Sequence, residues 1–163
     1  MKLGDNMCDS NKSDMCEPYK YFEVTADIGF YAYGNTIEKA YENAGLAMFN
    51  IITDISKVKN DMSFEFEVVS EDLVSLLYDY LDELLFLQDT EFVFFSRFDI
   101  NIESLEGNDD EYENYKLNCI AYGEEINWDI HVHRSEVKAV TFHQMNVLRD
   151  EEGNYELRAI LDL

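Results

Sequence analysis

The sequence predicts an α+β protein in which a mostly antiparallel or mixed β-sheet packs, in two layers, against two main helices. Apolar residues recur with helical spacing at about 36–52 and again at about 71–88. Strand-like stretches surround both helices without regular β–α–β alternation, so hairpin connections are expected. A chain of 163 residues is long enough for one domain with one substantial core.

Each predicted helix has a cap and one apolar stripe. Asn35 or Thr36 can cap the first helix, and Ser70 and Asp72 offer capping oxygens to the second. The first stripe contains Ile37, Ala40, Tyr41, Ala44, Ala47, Met48 and Ile51, and the second contains Leu73, Leu76, Leu77, Tyr80, Leu81 and Leu84. We therefore expect each helix to bury one face.

The strands are predicted from alternation and from turn residues. Residues 62–68 alternate strictly between apolar and polar side chains, as in a half-buried strand. Residues 19–33 are β-prone on either side of an acidic turn at Thr25-Ala26-Asp27. Further strands are expected at 91–100, 115–122, 137–148 and 155–161, with polar loops at 104–114 and 149–154. The last two strands should form a hairpin in which Gly153 takes positive φ.

The N-terminal residues and the cysteines limit the class of protein. Residues 1–18 are polar and predict a flexible leader before a single domain over 19–163. Cys8, Cys16 and Cys119 lack Cys-x-x-Cys spacing, so neither a structural zinc site nor a disulfide framework is expected. No stretch is apolar enough over a membrane-spanning length, and we expect a cytoplasmic protein.

The charge is strongly acidic. With 35 acidic and 12 basic residues, the formal net charge is -23. Such a surface repels the phosphate backbone, and the basic pairs Lys57/Lys59 and His133/Arg134 are too thin to reverse this, so direct nucleic-acid binding is not expected. The acidity suits a basic protein partner, or it serves only solubility.

The common catalytic signatures are missing from the sequence, which contains no glycine-rich phosphate loop, no Gly-x-Ser-x-Gly and no His-Glu-x-x-His. His131 and His133 have a spacing that can bind a transition metal on a strand, but such pairs are more often surface or turn residues. His143 is expected to be a hydrogen-bonded core residue. These observations weaken the hypothesis of an enzyme.

Several separate motifs, in order, cover almost the whole chain from Tyr19 onward. Residues 19–54 contain Thr-Ala-Asp-Ile-Gly, Ala-Tyr-Gly and Glu-Asn-Ala, residues 72–99 contain a helix and the strand after it, and residues 137–163 end in an Asp-aliphatic dipeptide. In this combination the chain closely resembles the archease family. Archeases are compact α+β proteins that promote guanylylation and multiple turnover of RtcB-type tRNA-splicing RNA ligases.

The resemblance implies a non-catalytic accessory role in tRNA processing, with an RtcB-type ligase as partner. It also implies a divalent metal ion, calcium in the first place and magnesium or manganese as alternatives, held by Asp27, Asp162 and Leu163. Oxygen ligands suit hard cations, and a last strand pairing near the first would bring Asp162 beside Asp27. Without the resemblance, these residues read as a turn aspartate and a solvated terminus.

Two further positions follow from the resemblance. Lys138 matches a family lysine associated with ligase activation, although it is equally interpretable as an outward-facing strand lysine. Val24 stands where many members carry a histidine, so no role of that histidine can be transferred.

Two other functions stay open: a metal-dependent hydrolase in which Asp27 and Asp162 position a cation that activates water, and a chaperone-like binder of proteins.

Overall fold

The computed structural model describes residues 17–105 and 114–163. The elements in chain order are β1 (Tyr19–Val24), β2 (Asp27–Gly34), α1 (Ile37–Ile52), a short 3-10 helix (Ile55–Lys57), β3 (Met62–Ser70), α2 (Leu73–Glu91), β4 (Val93–Leu105), β5 (Asn114–Glu125), β6 (Ala139–Arg149) and β7 (Tyr155–Asp162). The predicted α+β class is confirmed. The predicted flexible leader lies, up to residue 16, outside the described residues.

The strands form two antiparallel sheets. The first has the order β1-β2-β7-β6 and the second the order β3-β5-β4. The last strand of the chain therefore lies in the middle of the first sheet, with β2 on one side and β6 on the other. This placement brings the end of the chain next to the start of β2.

Both helices contact both sheets. Helix α1 packs against β2 and β4, while α2 packs against β6 and β3. Because α1 lies between two sheets, it is buried on more than the single face that its apolar stripe predicts. Asn43 on that helix is buried, and its side-chain amide donates to the carbonyl oxygen of Tyr33 at 2.6 Å. The polar residue is thus compatible with the core.

The caps predicted at Thr36 and Asp72 and the last hairpin are confirmed, whereas Ser70 is not a cap and its hydroxyl donates to the Asp79 carboxylate. The side chain of Thr36 accepts a hydrogen bond from the Lys39 amide, and that of Asp72 accepts one from Ser75. Gly153 has a φ of 87° in the turn between β6 and β7. The start of a strand at Glu91 is wrong, because α2 continues to that residue and ends at Phe92, whose φ is 55°.

The boundaries of the polar loop also differ from the prediction. β4 continues to Leu105 and β5 begins at Asn114, so both strands extend into the predicted loop 104–114. Within the part of the chain that the structure describes, no helix is both long and apolar enough to cross a membrane.

Gly45 allows α1 to approach its neighbours, and this generates a stability prediction. A Cβ at this position would lie 2.4 Å from the Tyr80 hydroxyl and 2.8 Å from Cε2 of Phe98, both buried. Gly45→Ala should therefore destabilise the protein by roughly 1–3 kcal/mol, although alanine has the higher helix propensity. Urea unfolding measures this, with exposed Lys39→Ala as the control; a stabilised Gly45→Ala variant would refute the packing argument.

Candidate metal centre

A tight hairpin places Asp27 at the start of β2. Val24 and Asp27 are partners in the β1–β2 ladder, so Thr25 and Ala26 alone make the turn. Ala26 has a φ of 63°, in the left-handed region that residues with a Cβ rarely adopt. The predicted acidic turn between two strands is confirmed, with the aspartate as the first strand residue after it.

Asp27 lies directly opposite Asp162 in the ladder between β2 and β7. Side chains of directly opposed residues project from the same face of a sheet, with Cβ atoms roughly 4.5–5.5 Å apart. On the other side of β7, Asp162 pairs with Ala139, and its carbonyl oxygen accepts a hydrogen bond from the Lys138 amide at 2.8 Å. The structure thus brings the two carboxylates together from distant parts of the sequence; their binding of a metal ion stays a prediction.

The two carboxylates have the chemistry of a hard-cation site. Within residues 17–105 and 114–163, neither Asp27 nor Asp162 makes a side-chain hydrogen bond or an ion pair, and Asp162 is exposed. Like charges directly opposed in a sheet repel each other, and a divalent cation between them would relieve that repulsion. The donor set therefore fits calcium or a similar ion.

The donor set is small. The described residues contain no group of three or more His, Cys, Asp and Glu side chains that could hold a metal ion. Asp27 and Asp162 would therefore need further oxygens, which a main-chain carboxyl or carbonyl group of Leu163 and water can supply. Leu163 directly follows Asp162 and is half-buried.

The neighbours of the pair along the same row of the sheet are apolar. Val24 lies beside Asp27, and Ala139 lies beside Asp162. Val24 occupies the position at which the family resemblance predicts a histidine. This position adjoins the pair, but the valine side chain offers no metal ligand. Lys138 is exposed and has no ion pair within the described part of the chain, so its ammonium group is accessible to a partner.

The same sheet face carries Arg158 in contact with two aromatic rings, a cluster that sequence reasoning missed. The Arg158 guanidinium lies 4.9 Å from the ring centroid of Phe22 and 5.7 Å from that of Tyr31, and it donates to the side-chain oxygen of Gln144. Gly29 leaves room for the Phe22 ring, which would lie 2.0 Å from a Cβ there. Alternation along β7 could have revealed this cluster, since Arg158 and Asp162 share one face.

His131 is buried in a turn and is not one of a metal-binding pair. It is only 3% exposed; its Nδ1 accepts from the Asn127 amide at 2.9 Å, so Nε2 carries the proton and donates to Glu124 Oε1 at 2.6 Å. Both ring nitrogens are thereby satisfied. His133 is exposed, with its ring 5.6 Å from that of Trp128.

The expectation that His143 is a core residue is wrong. The register of β6 against β7 shifts between Thr141 and Asn146, and Gln144 has a φ of 56°. This irregularity disrupts the alternation on which the expectation depended, and His143 is exposed.

Three comparisons with known proteins agree with one another. The model of the Archease protein family (MTH1598/TM1083) matches residues 19–163. "Protein archease" of Methanothermobacter thermautotrophicus is 50% identical over 145 residues, which cover 89% of this chain and 98% of that protein. "Protein archease" of Pyrococcus furiosus is 38% identical with the same coverage. A solution structure of Methanobacterium thermoautotrophicum protein 1598 is similar with a TM-score of 0.73 and 47% identity, over 90% of this chain and 99% of that one.

The Glu124–His131 pair makes stability depend on pH. Desolvation raises the pKa of Glu124, but hydrogen bonds from His131 and the Lys59 backbone, together with the positive charge of Lys59, outweigh it and hold that pKa below its ordinary value of 4.5. A carboxyl group whose pKa is lowered by folding contributes stability above its unfolded pKa, and this contribution is lost as the pH falls through the folded pKa.

We therefore expect Glu124→Gln to destabilise the protein by about 1 kcal/mol at neutral pH, because a charge-assisted hydrogen bond becomes a neutral one. The difference from the wild type should shrink as the pH falls below 4.5, the ordinary glutamate value. Urea unfolding at neutral pH and below pH 4.5 measures this difference in the free energy of unfolding. Glu152→Gln, at an exposed position, is the control. A difference independent of pH would show that the carboxylate charge is not what stabilises the turn.

Proposed function

The chain belongs to the archease family, and on that premise we propose that it is an accessory protein that activates an RtcB-type tRNA-splicing RNA ligase. It promotes the guanylylation of the ligase and its multiple turnover, while the bond-forming chemistry belongs to the ligase. The observation that carries the proposal is the direct opposition of Asp27 and Asp162 at an exposed end of the four-stranded sheet. Two carboxylates so arranged favour a cation, and because Asp162 is exposed and Asp27 half-buried, a partner protein can reach the pair.

The proposed metal ligands are Asp27, Asp162 and a main-chain oxygen of Leu163. Calcium is the proposed ion, with magnesium or manganese as alternatives, because all three prefer oxygen ligands. A divalent cation supplies positive charge that can hold a phosphate or carboxylate oxygen of a partner. The chain contributes the carboxylates that hold the ion and fixes their separation through the β2–β7 ladder.

The charge of the chain supports a protein partner over RNA. At a net charge of -23, a basic nucleic-acid enzyme attracts the chain and speeds encounter, whereas RNA itself is repelled. Lys138 is the proposed contact to the ligase, since it is an exposed cation whose amide is bonded to Asp162. In this position it can pair with a carboxylate of the ligase or with a phosphate held by it.

Removing either carboxylate should abolish the activation. We expect Asp27→Asn and Asp162→Asn to lower calcium affinity by at least about 10-fold, because each loses a charged ligand while keeping the side-chain shape. Both variants should lose the acceleration of single-turnover guanylylation of a cognate ligase. Asp82→Asn, which removes an exposed charge from α2, is the matched control and should behave as the wild type.

The same assay discriminates against the hydrolase hypothesis. If the wild type leaves the guanylylation rate unchanged and instead hydrolyses a small phosphate ester by itself, the accessory function is refuted. Calcium affinity that is equal in Asp27→Asn, Asp162→Asn and Asp82→Asn would refute the metal ligands independently of the function.

Adding residues after Leu163 should weaken calcium binding. In a chain whose last residue is Leu163, the extension converts a carboxylate of charge -1 into a neutral peptide group, and the site loses one of its charged ligands. Calorimetric titration of the extended and the original chain measures the difference. Equal affinities would contradict a carboxylate of Leu163 as ligand while leaving Asp27 and Asp162 untouched.

A further inference from the structure

The segment between β5 and β6 exposes three large apolar side chains within five residues. Trp128, Ile130 and Val132 are each 53% exposed, and we refer to them as the apolar patch. The centroids of the Trp128 and Phe94 rings are 5.9 Å apart, and this edge-to-face contact fixes the patch beside the start of β4. The amide of Ile126, just before the patch, donates to the carbonyl of Phe92, another large apolar residue, 49% exposed.

The segment is held rigidly although its apolar side chains face solvent. His131, in the middle of the patch, is buried and bonded through both ring nitrogens. The hydroxyl of Thr53 donates to the Val132 carbonyl at 2.7 Å, and the Arg134 amide donates to the Ile52 carbonyl at 3.0 Å. The exposure is therefore a property of the folded conformation, and binding at the patch would cost little conformational entropy.

The patch has the composition of a binding hot spot. Tryptophan is enriched among residues that dominate binding energies, and Trp128 is the only tryptophan in the chain. With half of their surface exposed, the patch and Phe92 together offer on the order of 300–400 Å² of apolar surface, the size of a functional patch on a monomer. Exposed apolar surface of this extent indicates a protein contact.

We propose that the apolar patch docks on the RNA ligase, in an apolar hollow bordered by lysine and arginine side chains; this rests on the proposed function. The argument for this occupant is charge complementarity. The exposed carboxylates of Glu91, Glu125 and Asp129 lie next to Phe92 or to the patch in the sequence. Nearby Arg134 is occupied, because its guanidinium donates to Asn50 and pairs with Asp54. Lys59 also lies near Glu124, but the three exposed carboxylates outnumber Arg134 and Lys59, so the rim is acidic on balance and a basic surface complements it.

The observations disfavour the two other occupants. Trp128 could stack on a base, but the acidic surroundings repel the adjoining phosphates. A second copy of the chain would bring two molecules of charge -23, and two identical acidic rims, into contact. The fluorine resonance of Trp128 can detect either occupant.

One partner can cover the patch and the acidic pair together. The segment that carries the patch continues to Lys138, whose amide is bonded to Asp162. Val132 and Lys138 are six positions apart in the chain, so their Cα atoms are at most about 22 Å apart. A standard interface of about 800 Å² per partner is roughly 30 Å across, which exceeds this distance. Docking through the patch therefore places Asp27 and Asp162 at or near the ligase surface.

The single tryptophan gives a direct probe of the patch. The chain is prepared with 5-fluorotryptophan, so that its one fluorine resonance reports on Trp128, and unlabelled cognate ligase is added. We expect a saturable change in this resonance. Ile130→Asp and Val132→Asp should each weaken binding by at least about 10-fold, because they place a charge in an apolar contact. Val69→Asp, at a 49% exposed position on β3, is the matched control and should bind normally.

Activity measurements separate this inference from the proposed function. In Asp27→Asn, we expect the Trp128 resonance to respond to the ligase as in the wild type, but guanylylation should not be accelerated. In Ile130→Asp, the resonance change and the acceleration should both be lost when the concentration of the variant is limiting. The acceleration should return when that concentration is high. Urea unfolding checks that the variants remain folded.

Acceleration by the wild type with no change in the resonance, or equal binding by Ile130→Asp, Val132→Asp and Val69→Asp, would overturn the docking surface and leave the proposed function intact. A wild type that neither binds nor accelerates the ligase would overturn both. A resonance that responds to single-stranded RNA alone, or to the concentration of the chain itself, would assign the patch to nucleic acid or to a second copy.

Discussion

The pairing of β7 between β2 and β6 is the interaction on which the rest of the structure depends. Leu157, Ala159 and Leu161 on β7 are fully buried and fill the space against the helices. The strand's register is thereby specified, since a slip by one residue would turn Arg158 and Asp162 into the core and expose the leucines. The opposition of Asp27 and Asp162 is therefore a consequence of core packing.

The acidic pair conflicts with the local rules of sheet stability. Opposed like charges destabilise a ladder, and Ala26 in the turn before Asp27 occupies a left-handed conformation that is unfavourable for alanine. Neither feature improves the fold. Local conflicts that a well-packed core tolerates are typical of functional sites, where the charge or the strain serves binding. This reasoning supports a cation site at that end of the sheet independently of the family resemblance.

Features that depend on residues close in the sequence could be predicted, whereas features that depend on contacts between distant residues could not. The caps at Thr36 and Asp72, the helical stripes and the turn at Gly153 are local, and all were predictable. Alternation tells which residues share a face of a strand, but it does not tell which strand lies alongside, so neither the division into two sheets nor the place of β7 could be derived.

The candidate site shows the same limit. Asp27 and Asp162 were joined only through the family resemblance, because nothing in their spacing relates them. The burial of His131 depends on Glu124 and on a turn that closes between them, and sequence periodicity carries no signal for either. The expectation for His143 failed because a single irregularity in β6 changes the direction of every side chain that it includes.

The segment from Ile126 to Lys138 carries the apolar patch, ends beside the acidic pair and is bonded to helix α1 in between. Helix α1 has no basic residue in its last turn, and Arg134 supplies this charge from the segment by donating to the Asn50 carbonyl. Helix α1 packs in turn against β2, which begins at Asp27. Because these contacts join well-packed elements, the separation between patch and carboxylates is fixed. A partner that binds the first surface therefore receives the second at a defined position, without the entropic cost of ordering a flexible tether.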